Sequence, residues 1–388
     1  MRCHHVLVQE PPHDMSRSAL WRLPASVRSL ALSSCRRYSS ESQRIRYSSG
    51  EPLRILFCGS DDFSITSLRA LAEAKRTNWG LIHSIDVLHR PAKRTGRGLK
   101  IETAVPIQRV ATEELQLNTH VTDTFTGWVP PAHFDLVIAV SFGLFVPPRI
   151  LHHAKYGGLN VHPSLLPDLR GPAPIEHAIL QLRKRIGVSV QTLDPVQFDH
   201  GTILAQTPPP GLRISSNTTK AALERQLAEE GAKMLIDVLR SRRYVPPHTN
   251  YGWYARRKGP SQHAPVKHAP KITKQDSFVD FEKHTKKEIL IKQRALGDTW
   301  CLLPNGDRLI MHKLDHDVGD GTTPGPPGIW TSNSVRNPLF RAANGRVGQI
   351  RFSTYEGGKL GGGNEKLKRM FPPQKGLEDQ TEAKPEGS

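Results

Sequence analysis

Short apolar runs alternate with helical repeats along the chain after its first fifty residues. The apolar runs at 53–59, 84–88 and 135–142 have the length of strands, and helical patterns at 64–76 and 106–115 lie between them. Uninterrupted apolar runs indicate strands that are covered on both faces, as in parallel sheets. We therefore predict an α/β fold class with a doubly wound, mostly parallel sheet and helices on both faces.

The same alternation continues to residue 240. A short helical segment at 147–152 precedes two strand patterns, at 187–193 and 202–207, which are joined by the loop DPVQFDHG. The long amphipathic stretch 217–240 predicts a helix whose N-cap is Asn217 or a neighbouring threonine. We expect this helix to close the first domain.

The composition of the chain changes after this helix. Between residues 238 and 275 there is no acidic residue, and lysines and arginines are interleaved with Tyr244, Tyr251, Trp253 and Tyr254, which is typical of a linker that contacts nucleic acid. Strand patterns separated by Gly/Pro loops follow. We predict four regions: an α/β domain at 51–240, a basic linker at 241–270, a smaller β-rich, OB-like domain at 271–370, and a disordered tail at 371–388.

The first fifty residues resemble a targeting segment. From Met15 to Tyr38 the chain contains five arginines, several serines and no acid, with apolar residues at helical spacing. This pattern is typical of a mitochondrial presequence and predicts import into the mitochondrial matrix, with cleavage after Tyr38 as a hypothesis. Residues 1–14 contain two acids and fit the signal poorly, which favours Met15 as the start. A disordered basic tail without a targeting role is the alternative.

The charge and the cysteines narrow the class of protein. The 388 residues carry a formal net charge of +18, which is typical of proteins that bind a polyanion such as nucleic acid or an anionic membrane surface. The four cysteines are widely spaced and form no CxxC pair, which argues against a disulfide framework and a zinc site. No apolar run reaches the roughly 18 residues of a membrane span. We expect no membrane partner and no metal.

The proline and glycine of the segment NVHPSLLPDLRGPAPIE at 160–176 are typical of neither a helix nor a strand, so we place it, with Asn160 and His162, in a loop at the end of a strand. Asn160 can donate its amide to a developing oxyanion, and His162 can transfer a proton near neutral pH. Asp199 lies in the loop between the next two predicted strands and can orient the imidazole. These three residues are the candidate catalytic set.

The sequence around these residues resembles that of the folate-dependent formyltransferases. LNVHPSLLPDLRGPAPIEHAIL resembles the family signature, RILFCGSDDFS its first strand and turn, VSFGLFVPPRIL its third strand, and VSVQTLDPVQFDHGTILAQT its aspartate loop. The RGPAPI segment, Arg170–Ile175, is similar to the branch that acts on methionyl-tRNA. The resemblance covers about residues 52–315 and is strongest up to residue 207.

The resemblance implies a formyltransferase-type Rossmann-like domain and a one-carbon transfer reaction. The formyl group of 10-formyltetrahydrofolate, the co-substrate, would pass to the α-amino group of methionine on initiator tRNA, in support of mitochondrial translation initiation. Asn160 and His162 would hold the oxyanion, and Asp199 would hold the imidazole or an ordered water. The folate would be bound by Phe142, Gly143, Leu144, Ser164, Leu165, Leu166 and Pro167.

The basic loop HRPAKRTGRGLK at 89–100 contains no acid. In the family that it resembles, the corresponding loop inserts at the acceptor end of the tRNA, and the β-rich domain adds backbone contacts. The tRNA contacts that this implies are Arg90, Lys93, Arg94, Arg97, Lys100 and Arg170. One chain carries the parts that one site needs, so we expect a monomer.

Two other functions fit the same residues. An enzyme of the same fold could formylate another amine or hydrolyse formylfolate, but this gives the basic loop and the second domain no role. An organellar tRNA- or RNA-binding protein could share the fold without turnover. The presence of Asn160, His162 and Asp199 together argues against that alternative.

Overall fold

The computed structural model describes residues 51–372, apart from gaps at 79, 96–97, 99–100, 257–265 and 316–324. Three predicted features lie outside the described part: the presequence at 1–50, the tRNA contacts of Arg97 and Lys100, and the tail after residue 372.

The elements up to residue 240 are, in chain order, β1 (Leu53–Gly59), α1 (Asp62–Thr77), β2 (Ile82–His89), β3 (Lys93–Thr95), β4 (Ile101–Thr103), α2 (Pro106–Arg109), β5 (Asn118–Val121), β6 (Leu136–Val140), α3 (Pro148–His153), β7 (Gly158–His162), α4 (Pro174–Leu180), β8 (Arg185–Ile186), β9 (Ser189–Thr192), β10 (Ile203–Gln206), β11 (Leu212–Arg213) and α5 (Lys220–Arg240).

Seven of these strands form one sheet in the order β10-β9-β7-β6-β1-β2-β5. The strands β7, β6, β1, β2 and β5 run parallel to one another. Strand β9 runs antiparallel to β7, and β10 runs antiparallel to β9. The chain passes from β1 to β2 and β5 on one side and then returns to β6 on the other side of β1. Ligands of such sheets bind at the carboxyl ends of the strands where the strand order reverses. The predicted α/β class is confirmed.

Buried apolar side chains account for the central strands and their covering helices. All five residues of β6 are buried, and α1 and α5 bury leucines such as Leu68, Leu71, Leu227 and Leu235 in one shared core. Burying one leucine contributes roughly 1.5–3 kcal/mol relative to leaving it exposed. The N-cap of α5 is Thr219, whose side chain accepts from the backbone N–H of the third helical residue.

One predicted helix differs in the structure. The pattern at 106–115 forms α2 only as far as Arg109, and a single π-helical turn, Val110–Glu114, continues it. The wider turn keeps Val110 and Ala111 buried, while Glu114 is exposed and pairs with Arg69 on α1. Hydrophobic spacing does not distinguish these two helix types over so few residues.

The elements of the remaining described chain are, in order, α6 (Lys286–Leu296), β12 (Thr299–Leu302), β13 (Arg308–Asp315), β14 (Gly328–Trp330), β15 (Leu339–Arg341), β16 (Val347–Tyr355) and α7 (Gly363–Met370). The five strands form an antiparallel sheet in the order β12-β13-β16-β15-β14, around a core that contains the fully buried Met311, Phe340 and Ile350. The predicted β-rich second unit is confirmed as a fold. Within the described residues, no helix is both long and apolar enough to cross a membrane.

The predicted linker packs against the first sheet and its loops. Leu169 N donates to Lys267 O at 2.7 Å and Ala269 N donates to Arg170 O at 2.7 Å, so the described end of the linker pairs with the loop after β7. Tyr244 is 3% exposed and packs edge-to-face on Tyr156. The expectation that Tyr244 contacts nucleic acid is therefore wrong, because a core tyrosine cannot stack on a base. The domain boundaries stay a prediction.

Candidate active site

Asn160 and His162 lie at the carboxyl end of β7. They are two residues apart on one strand, and the period of a strand is two, so both side chains leave the same face of the sheet. The expectation that Asn160 and His162 lie in a loop after a strand is therefore wrong: both belong to the strand itself, and its period explains the Asn-X-His spacing. The end of β7 lies one strand away from β6, on the side where the strand order reverses.

Asp199 approaches these residues from the loop between β9 and β10. Its backbone has φ of 60°, in the left-handed region that few residues other than glycine adopt. Two contacts of the loop after β7 hold this conformation: Arg170 Nε donates to the carbonyl oxygen of Asp199 at 2.8 Å, and Gly171 N donates to Oδ2 at 2.9 Å. The aspartate is therefore fixed at both its backbone and its carboxylate.

Three side chains converge on one oxygen, Oδ1 of Asp199. Asn160 Nδ2 and Gln191 Nε2 each donate to it at 3.2 Å, and His162 Nδ1 lies 3.4 Å away. The other ring nitrogen of His162, Nε2, lies 3.0 Å from the carbonyl oxygen of Leu169. A carbonyl only accepts, so Nε2 carries a hydrogen and Nδ1 is the nitrogen that gains or loses a proton.

The set lies almost wholly inside the protein. The side chains of His162 and Asp199 are 7% and 8% exposed. Poor access to water strengthens the electrostatic attraction between a protonated His162 and the carboxylate. The arrangement can therefore donate an amide hydrogen and move a proton at one location. Among the described residues, no three His, Cys, Asp or Glu side chains are grouped as metal ligands would be.

Two glycines let the loops approach each other. Gly171 has φ of 118°, and a Cβ there would contact the carbonyl oxygen of Ala269 in the linker. Gly201, two residues after Asp199, lies so close to the carbonyl of Thr192 that a Cβ would overlap it. Larger residues at these positions would displace the loops that place Asp199.

The predicted folate-binding residues fall into two groups. Phe142, Gly143 and Leu144 follow β6, and Phe142 is 4% exposed with its ring 6.0 Å from that of Phe125. Ser164, Leu165 and Leu166 are buried residues of the loop after β7, and Ser164 Oγ donates to Asp168 O at 2.6 Å. Pro167 is half-buried and follows a cis peptide bond. The role of all seven residues in folate binding stays a prediction.

The structure adds residues that sequence reasoning missed. Gln191 on β9 is 1% exposed, donates to Asp199 and has a buried Oε1 without a hydrogen-bond partner among the described residues. Phe198, 60% exposed, packs edge-to-face on Phe145 with ring centroids 5.1 Å apart. An exposed phenylalanine beside Asp199 carries no periodic signal in the sequence, so only the loop geometry reveals it.

The predicted tRNA contacts occupy different environments. Lys93 and Arg94 are exposed on β3, which pairs with β4 in a two-stranded ribbon. Arg90 pairs with Asp123, and Arg170 donates to the backbone of Asp199. The guanidinium of Arg170 therefore has a structural partner at the site, and its contact with tRNA stays a prediction.

Comparison with known proteins agrees with the fold. Residues 53–239 match the Formyl transferase family, a span from β1 to the last turn of α5 that includes Asn160, His162 and Asp199. The fold and this match define the class of the protein as a formyl transferase.

Three relatives define its branch. The mitochondrial methionyl-tRNA formyltransferase of Saccharomyces cerevisiae is 35% identical over 284 residues, which cover 64% of this chain and 68% of that protein. The putative methionyl-tRNA formyltransferase of Schizosaccharomyces pombe is 33% identical over 277 residues, 66% of this chain and 76% of that protein. The mitochondrial enzyme of Bos taurus is 33% identical over 259 residues, 66% of this chain and 60% of that protein. This chain belongs to the methionyl-tRNA formyltransferase family.

Proposed function

We propose that the chain transfers the formyl group of 10-formyltetrahydrofolate to the α-amino group of methionyl initiator tRNA. The observation that carries the proposal is the convergence of Asn160 and His162 on Asp199 Oδ1, at the end of β7, in a chain of this family. In the reaction the amine nitrogen bonds to the formyl carbon, the carbonyl oxygen becomes an oxyanion, and the bond from that carbon to the folate nitrogen then breaks.

Asn160 stabilises the oxyanion. One hydrogen of its Nδ2 is directed to Asp199 Oδ1 at 3.2 Å, which orients the amide and leaves the second hydrogen for the substrate oxygen. The contact with Asp199 is formed before the substrate binds, so little reorganisation is needed during the reaction. Removing one such donor typically slows a reaction about a hundredfold to a thousandfold.

His162 moves the proton. The amine must lose a proton and the departing folate nitrogen must gain one, and Nδ1 can serve both steps in turn. When Nδ1 is protonated, the imidazolium lies 3.4 Å from the Asp199 carboxylate, which stabilises its charge. Leu169 O keeps the ring in the orientation that directs Nδ1 to this side. An α-amino group has an ordinary pKa of about 7.7–8.0, so an unprotonated fraction is present near neutral pH.

The surroundings of Asp199 suit an aromatic co-substrate. Phe198, Val196 and Phe145 form an exposed apolar lip beside it; Phe198 and Val196 are 60% and 76% exposed. We propose that the folate rings contact this lip and the turn at 142–144, because a flat heteroaromatic ring gains contact area from such residues. Gln191 Oε1 can accept from an N–H group or a water that enters the site.

The second substrate accounts for the charge of the chain. The net charge of +18 and the exposed Lys93 and Arg94 favour binding of the tRNA acceptor arm, with further contacts from the linker and the β-rich unit at 271–370. We propose that the protein acts as a monomer in the mitochondrial matrix. The yeast and bovine relatives are named as mitochondrial enzymes, and residues 15–38 have the composition of a presequence.

The test uses the protein without residues 1–38, methionyl initiator tRNA and 10-formyltetrahydrofolate, with formyl-methionyl-tRNA as the product. His162→Ala should form product at least about a hundredfold more slowly than the wild type. His83→Ala, an exposed histidine on β2, is the matched control and should retain wild-type activity.

Three outcomes would contradict the proposal. Binding of tRNA by the wild type without product would favour an RNA-binding protein. Release of formate without formyl-methionyl-tRNA would favour a hydrolase. An unaltered rate in His162→Ala would remove the histidine from the mechanism.

A further inference from the structure

A cleft of about 420 Å³ lies between the end of α4, the β8–β11 ribbon and α6. Its polar lining consists of four cationic residues and three with hydroxyl groups: Arg183, Lys184, Arg213, Arg294, Ser215, Ser216 and Thr218. None of the described residues that line it is acidic. A concave surface with cations, hydroxyl donors and no carboxylate is suited to an anion.

Arg294 lines this cleft from α6. It is half-buried on α6, and burial lowers the pKa of its guanidinium, with no carboxylate among the described residues to offset the effect. A partly buried cation without a partner is unfavourable, and a bound anion would remove that cost. Arg294 also lines a second cleft, which contains Glu224. The carboxylate of Glu224 lies 3.9 Å from Lys220 Nζ and is paired with that lysine rather than with Arg294.

Arg183 is partly available to a ligand. Its Nη2 lies 3.1 Å from Asp168 Oδ1, but its Nε is buried without a hydrogen-bond partner among the described residues. The Asp168 contact fixes one edge of the guanidinium and leaves another donor unused. Lys184 and Arg213 are exposed at the rim of the cleft.

The cleft opens at the catalytic end of the sheet. His162, the last residue of β7, pairs with Ser189, the first residue of β9, and β8 ends only three residues before Ser189. The ribbon of β8 and β11 therefore continues past the end of β7. The helix α4 begins three residues after Gly171 and spans about 10 Å, so the cleft at its far end lies about that distance from the loop that holds Asp199.

We propose that this cleft is a phosphate subsite for the acceptor strand of the tRNA, with Arg294 as its central donor. The proposal rests on the proposed function, because it requires a substrate whose reacting end enters the site at His162. The cleft binds the backbone of that strand a few nucleotides away and thereby positions its end. Phosphate contacts fix position and carry no sequence information directly.

The test compares Arg294→Gln with Arg76→Gln. Arg76 is exposed in the last turn of α1, which leads from the carboxyl end of β1 back to the start of the parallel strand β2, so its replacement removes the same charge at the opposite end of the sheet. Binding of methionyl-tRNA is measured over a range of salt concentrations, with formylation in parallel. Circular dichroism checks that each variant folds.

Arg294→Gln should weaken tRNA binding roughly tenfold and reduce the slope of log K against log[salt] by about 1, with kcat at saturating tRNA unchanged. Arg76→Gln should keep the wild-type slope. Arg213→Gln, at an exposed position, is the second variant if Arg294→Gln does not fold, and it should change the slope in the same direction.

The proposal is overturned if the wild type formylates tRNA but both cleft variants keep its affinity and slope; this result leaves the proposed function intact. Inorganic phosphate that binds the cleft at constant ionic strength without weakening tRNA binding would show a free-anion site instead. If the wild type forms no product at all, the proposed function fails first and this subsite fails with it.

Discussion

Replacing Asp199 by asparagine tests the centre of the site, because it keeps the size of the side chain and removes its charge. In the wild type, Oδ1 faces Asn160 Nδ2, Gln191 Nε2 and His162 Nδ1, and Oδ2 accepts from Gly171 N. Both carboxylate oxygens are therefore used as acceptors.

The magnitude follows from these contacts. An asparagine has one acceptor oxygen, and its better orientation places that oxygen at the Oδ1 position, where three nitrogens converge. The amide NH₂ then faces Gly171 N–H, so two donors oppose each other at the 2.9 Å contact. Losing one hydrogen bond to a charged group costs about 1.5–3 kcal/mol of stability. The imidazolium of His162 also loses its counter-charge, and the rate should fall about a hundredfold to ten-thousandfold.

The assay is formylation of methionyl-tRNA at saturating substrates, with urea unfolding on the same preparations. Asp194→Asn is the matched control in the same loop. Asp194 accepts from the backbone N–H groups of Val196 and Gln197 at 2.8 and 2.9 Å through one oxygen, and an amide oxygen can do the same. A wild-type rate and unchanged stability in Asp199→Asn would refute the assignment of Asp199 as the counter-charge.

Three further changes test the surroundings of the site and the second sheet. Gly201→Ala overlaps a backbone carbonyl of β9 and should abolish formylation, whereas Gly127→Ala, at φ of 69° in open space, should cost about 1–2 kcal/mol in thermal unfolding and spare the aspartate loop; equal losses of formylation would contradict this. Gln191→Leu should lower kcat about tenfold with the KM for tRNA unchanged, measured by steady-state kinetics. Thr285→Ala removes the N-cap of α6 and should cost about 1 kcal/mol in urea unfolding. Hydrogen bonds from Thr285 lower the pKa of Glu288 below its ordinary 4.5. The difference in unfolding free energy between the wild type and Thr285→Ala should therefore be full above pH 4.5 and shrink as the pH falls through the lowered pKa.

Local pattern was sufficient for the central strands β1, β2 and β6. The run at 53–59 became β1 with the same bounds, because a strand buried on both faces needs only consecutive apolar side chains. Asn160 and His162 were expected in a loop because of the proline and glycine that follow them, and only the structure shows that they lie on one face of β7. The N-cap of α5 was also within the expected choices, because capping depends on a few neighbouring residues.

The contacts of Asp199 required the folded chain. It lies 37 positions after His162 along the chain, and its left-handed backbone is held by Arg170 and Gly171 rather than by its own neighbours. Arg170, with five donors, fits both an RNA phosphate and a carbonyl oxygen, so its chemistry alone did not reveal this contact. Tyr244 likewise suited either a base or a core. Periodicity reports which face of an element is buried, whereas contacts between distant loops depend on how those elements pack, and that information is spread over the whole chain.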